Sequence, residues 1–281
     1  MRPNRIQFRA EDSTNSLRQG NDLSFVHGDF EIAHGGGAAD RGTANPALNL
    51  LFPVGLCPGR PAILRAIEAA EDLGLAIDGG EGGTLELVSR GLSFEVTGIA
   101  RSAEESWQDR STDSFPPGGM GRRYETIGLV AGPHMETGAR TPAVLKRQSR
   151  AAIALGRQFP VLEGFSWSTA RNTVVPSHFA DLFERWDAGE ALPAELFVTF
   201  RKDLDEGLSS LGLSLFTDQE LRIEPDAAEA IPDAGRLAMR IAGQLIAMGP
   251  LSDPQDFATP DGRNLRLEAS PNGRFVRAFL R

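Results

Sequence analysis

The stretch Gly207-Leu208-Ser209-Ser210-Leu211-Gly212-Leu213-Ser214-Leu215-Phe216-Thr217-Asp218-Gln219-Glu220-Leu221-Arg222-Ile223-Glu224 decides how this chain is read. Leu211, Leu213 and Leu215 recur at every second residue, as do Leu221 and Ile223, which is the period of strands with one buried face. Thr217-Asp218-Gln219 lies between the two runs as a polar break. The spacing predicts two strands that feed one core through a short connection.

Outward from this ribbon, residues 196–201 (Leu-Phe-Val-Thr-Phe-Arg) read as a strand leading in. Residues 232–248 read as a helix that Gly249-Pro250 stops. The runs 265–269 and 274–280 close the chain as a hairpin around Ser270-Pro271-Asn272-Gly273. Upstream, the apolar run 48–56 predicts a buried strand and 58–73 a helix with Pro61 in its first turn. A turn at Gly79-Gly80-Glu81-Gly82-Gly83 precedes strands over 84–88 and 92–99. Residues 101–124 read as a long surface loop in which Trp107 covers the edge of the core. Then follow a strand over 126–131, a helix over 141–156, a strand over 161–167 and a helix over 176–186. The order predicts an α+β fold of two-layer mixed sheets with helices packed on one face. It divides into a ferredoxin-like part over 47–190 and a smaller α+β part over 191–281. Residues 1–46 lack sustained apolar pattern and read as a loosely attached extension, within which 23–32 has the makings of a small hairpin.

Gly207, Gly212, Phe216, Glu220, Leu221 and Ile223 fall where a recurrent pattern lies in the bacterial family labelled domain of unknown function 4261, and the C-terminal part of this chain resembles that family. The segment 164–179, through Trp167 and Pro176, is similar to the strand and helix that precede the domain in such proteins. The resemblance implies an α+β fold and a bacterial cytoplasmic setting. It implies no catalytic residues, because the family carries no established activity.

The formal net charge of −9 makes a nucleic-acid backbone an unfavourable partner. Cys57 is the one cysteine, so neither an intramolecular disulfide nor a cysteine-based zinc site can close, which suits a reducing compartment. The first twenty residues hold only scattered apolar positions, and no apolar run approaches the ~18 residues of a membrane span. A cytoplasmic protein without nucleic-acid or membrane partners is expected.

The candidate binding residues are Trp167, Asn172, Glu220 and His134. An exposed aromatic beside an amide and a carboxylate, where a strand runs into a loop, can form a recognition pocket. His134 lies in a loop after a buried strand, a place where α/β folds often hold ligands. The competing reading is structural, with Trp167 in the core, Asn172 capping a turn and Glu220 fixing a strand end. His34-Gly35-Gly36-Gly37 matches an oxyanion-hole loop, but Gly164-Phe165-Ser166-Trp167-Ser168 lacks the last glycine of a nucleophile elbow. Cys57 precedes a helix start without a histidine base near it in sequence. Arg263, Arg266, Arg274, Arg277 and Arg281 gather in the terminal hairpin against Glu268, forming either a basic face or a solvated sheet surface.

These patterns supply no catalytic constellation, metal set or cofactor loop, so no cofactor is expected. The expected function is non-enzymatic binding of another protein, as an accessory or immunity-type factor, with homo-oligomerisation left open. The alternative is an enzyme or small-ligand binder whose site assembles from residues distant in sequence.

Overall fold

Leu48, Leu50 and Phe52 alternate along the strand Leu48–Pro53 (β1) and enter the core, as a period of two requires. The computed structural model describes residues 45–281 apart from 71–72, 79–84, 100–106, 109–113, 116–122 and 260–261. The extension up to residue 44, its hairpin, the His34 motif and the turn at 79–83 therefore lie outside the described residues. The helix Arg60–Ala69 (α1) carries Pro61 in its first turn, where a missing N–H costs nothing, and buries Ile63, Ala66 and Ile67. Strands Leu75–Asp78 (β2), Leu85–Ser89 (β3) and Leu92–Thr97 (β4) make an antiparallel meander.

Two short strands, Trp107–Gln108 (β5) and Ser114–Phe115 (β6), precede the long strand Arg123–Ala131 (β7). A tight turn over Pro133–Gly138 leads to the helix Pro142–Gly156 (α2), the strand Gly164–Trp167 (β8) and the helix Pro176–Asp187 (α3). The first sheet runs β2-β3-β4-β7-β1-β8, with β5 also on β7, and its described neighbours pair antiparallel. α2 packs on β1 and β7, and α3 on α2 and β8.

The second sheet begins after the helical turn Ala194–Phe197 (α4) with Thr199–Lys202 (β9) and Leu208–Leu211 (β10). It continues through the turn Ser214–Thr217 (α5), the strand Glu220–Ile223 (β11) and the helices Pro225–Ala230 (α6) and Ala234–Met248 (α7). Gln255–Ala258 (β12), Asn264–Ala269 (β13) and Phe275–Leu280 (β14) complete it. Its order is β12-β13-β14-β11-β10-β9-β6, and β11 lies parallel to β14, so this sheet is mixed. α7 lies between the two parallel strands in sequence, as a crossover requires, and packs on β9, β10 and β11. The fold is α+β, as the alternation of periods predicts.

Several boundaries differ from the sequence reading, each for a local reason. The chain leaves the strand at Gly212, whose φ is 98°, so Leu213 and Leu215 reach the core from a single helical turn rather than from a strand. Leu196 and Phe197 likewise sit in the turn α4, and the strand starts only at Thr199. Leu213 and Leu215 are both buried two residues apart, which imitates strand alternation over so short a span. The segment 101–124 is not simply a loop: β5 joins β7, with Trp107 opposite Tyr124, and β6 crosses to pair with β9 of the second sheet. Val54 and Leu56 lie beyond the end of β1 and are exposed, not buried with the run that precedes them.

The two sheets share one buried core, and residues 43–281 form one compact unit. Phe197 lies at its centre, with ring centroids 4.9 Å from Trp167, 5.9 Å from Trp186 and 5.4 Å from Phe216. No helix among the described residues is long and apolar enough to cross a membrane.

Candidate functional site

Glu220 opens β11, and its carboxylate turns back over the preceding turn. It accepts hydrogen bonds from the backbone N–H groups of Gly212 (3.0 Å), Leu213 (3.2 Å) and Ser214 (3.2 Å), from the Ser214 hydroxyl (2.6 Å) and from the Ser210 hydroxyl. The left-handed backbone of Gly212 aims those N–H groups together, and a Cβ there would stand 2.2 Å from the Phe197 carbonyl oxygen. The Glu220 carboxylate thus acts as an internal anion that fixes the β10–α5–β11 connection.

Trp167 is 0% exposed and its ring lies against Phe197. Asn172 is also buried, and its amide donates to the carbonyls of Glu195 (3.2 Å) and Leu196 (3.5 Å), tying the loop after β8 to α4. Both side chains sit where the two sheets meet. His134 instead lies exposed in the turn after β7. The structure thus places Trp167, Asn172 and Glu220 in supporting positions and His134 on the surface.

The remaining sequence candidates resolve similarly. Ser166 lies inside β8, paired opposite Asn49, rather than on the sharp strand-to-helix turn a nucleophile elbow needs. Cys57 is buried, and its backbone N–H donates to the Glu125 carboxylate at 3.3 Å. Three of the five terminal arginines lie against acids. Arg266 pairs with Asp256 (3.1 Å) and Glu268 (3.3 Å), Arg277 with Glu224 (2.6 Å) and Arg281 with Asp256 (2.6 Å). The hydrogen bond that Arg266 donates to Asp256 holds its pKa above the ordinary value, and the one that Arg277 donates to Glu224 does the same there. Arg263 instead donates to the Ala230 carbonyl. Among the described residues, no group of three or more His, Cys, Asp or Glu could hold a metal ion.

No protein-family model, curated protein or solved structure matches this chain.

Two surface features remain that sequence pattern did not expose. The first is the turn that ends β1, where Val54 is 62% exposed and Leu56, whose N–H closes the turn on the Pro53 carbonyl, is 54% exposed. The second is a small groove between α2 and α3 with a volume of about 180 Å³, floored by Ile153, Ala154 and Phe183. Arg150 and Arg157 form one wall, Glu184 and Asp187 the other. Sequence carries a faint signal for it, since arginines seven apart and acids three apart each share a helix face.

Proposed function

We propose that this chain acts without catalysis, by binding another protein, in the manner of an accessory or immunity-type factor of a bacterial cytoplasm. The observation that carries the reading is the pair of exposed apolar side chains, Val54 and Leu56, in the turn that ends β1. Single exposed apolar side chains are ordinary, but two in one turn leave apolar surface in water at a cost of roughly 25 cal/mol for each square ångström, which docking removes. The structural employment of Trp167, Asn172 and Glu220 supports the same reading, because the groups that would have formed a recognition pocket are committed to the fold.

The resemblance to the family of unknown function belongs to this proposal. Its quoted residues Gly212 and Glu220 build the β10–α5–β11 connection, which fits a signature of fold rather than of chemistry. A ferredoxin-like description of the first part is supported by the spatial order β8-β1-β7-β4, reached through α1 and α2.

Affinity capture from the host tests the function. The wild-type chain is expected to retain a stoichiometric protein that the double variant Val54→Asp, Leu56→Asp loses, since two buried carboxylates at a docking face would go unpaired. Retention of the same protein by both, or of none while a metabolite screen raises the thermal midpoint, would transfer the chain to the small-ligand or enzyme class.

A further inference from the structure

The β13–β14 hairpin turns through Ser270-Pro271-Asn272-Gly273, closed by the Gly273 N–H on the Ser270 carbonyl at 2.8 Å. Of the asparagines in the chain, Asn272 alone precedes a glycine. Its Oδ1 accepts from the Ser270 hydroxyl at 2.7 Å and from the Arg274 N–H at 3.1 Å. Both donors withdraw electron density from the side-chain carbonyl, and both face the oxygen that turns negative when a nucleophile adds to Cγ. Its Nδ2 has no partner among the described residues. The nucleophile next along the chain is the Gly273 nitrogen, which closes a five-membered ring with Cγ, Cβ, Cα and the carbonyl carbon of Asn272. Gly273 has a φ of 68°, and a Cβ there would meet nothing within 4 Å, so the ring has room. Residues 271–274 are all exposed, which gives water and hydroxide access to the turn.

We propose that Asn272 is a self-modification site, deamidating in the folded protein to aspartate and isoaspartate. The Gly273 nitrogen gives its proton to hydroxide and attacks Cγ. The N–Cγ bond forms, the Cγ–Nδ2 bond breaks, and Nδ2 takes a proton from water and leaves as ammonia. Water then adds to either carbonyl of the succinimide ring and opens it. In sum, one amide and one water become one carboxyl group and one ammonia, with no change of oxidation state. The Gly273 N–H must first leave the Ser270 carbonyl, a local opening that a hairpin tip undergoes at little cost. The product places a carboxylate beside Arg274 and makes the formal net charge of −9 more negative by one. Its isoaspartyl form lengthens the backbone by one atom in the turn that sets the β13–β14 register. The inference goes beyond the protein-binding reading and does not depend on it, since this turn and the Val54–Leu56 turn share no residue.

The test incubates the folded full chain in warm, mildly alkaline buffer made with heavy-oxygen water, then applies an acid quench, tryptic digestion in ordinary water and mass spectrometry. The peptide 267–274 is expected to convert before any other that contains asparagine, into two chromatographic forms of equal mass that each carry one solvent oxygen. The intact chain is expected to gain one negative charge on anion exchange in step with that conversion. Asn272→Gln alters an exposed side chain and would have to close a six-membered ring, so conversion is expected to slow at least tenfold while circular dichroism is unchanged. An unconverted 267–274 peptide, earlier conversion at another asparagine, product without solvent oxygen, or conversion only after unfolding in urea overturns the proposal. So does equal conversion in Asn272→Gln.

Discussion

Glu220 meets the backbone of its own turn so closely that the local chain path depends on one carboxylate. Three backbone N–H groups and two hydroxyls converge on it, and none of the three N–H groups lies in a strand ladder. Glu220→Ala is expected to lower unfolding stability by about 3–5 kcal/mol, because a charge-assisted acceptor is lost and partly buried donors are stranded. Glu220→Gln keeps one acceptor oxygen and places an amide donor among donors, so a loss of about 2–3 kcal/mol is expected. Urea unfolding with an unchanged m-value checks both. A loss under ~1 kcal/mol for the alanine variant would mean that water satisfies those donors as well as the carboxylate does.

At the level of elements, α2 is attached to the first sheet by a polar side chain as well as by its apolar face. Gln148 is buried, and its amide donates to the carbonyls of Pro46 (3.0 Å) and Leu129 (2.6 Å), joining the helix to the approach to β1 and to β7. Gln148→Leu is expected to cost about 1–3 kcal/mol, since two carbonyls lose a donor in a place that apolar volume alone cannot satisfy. Amide exchange should accelerate in β7 more than in the C-terminal hairpin. Uniform acceleration would place the loss elsewhere. The helices α2, α3 and α7 and the β13–β14 hairpin were legible because each repeats its period often enough to be unambiguous. α4 and α5 were not, because four residues make about one helical turn, too few to show a period. β5 and β6 carry no period at all, and the partner of β6 lies far along the chain. The structural role of Glu220 was not legible for a related reason. A carboxylate at a strand start looks available in sequence, and only the direction of the Gly212 backbone shows that its acceptors are already occupied.

For the whole molecule, the question is whether the two sheets unfold together. Phe197 belongs to the second part by sequence yet touches Trp167 and Trp186 of the first, while β6, from between strands of the first sheet, pairs with β9 of the second. Both connections must break before either sheet separates, so a single cooperative transition is expected, with tryptophan fluorescence and far-UV circular dichroism coincident. Phe197→Ala removes a ring that is 0% exposed, and a cavity of that kind costs about 3–5 kcal/mol. Because Trp167 and Trp186 both line that cavity, the variant should shift the fluorescence midpoint and the dichroism midpoint by the same amount. Two separated transitions in the wild type would mean that the parts 47–190 and 191–281 are independently stable. Separation only in the Phe197→Ala variant would instead show that this one aromatic contact supplies the coupling between the sheets.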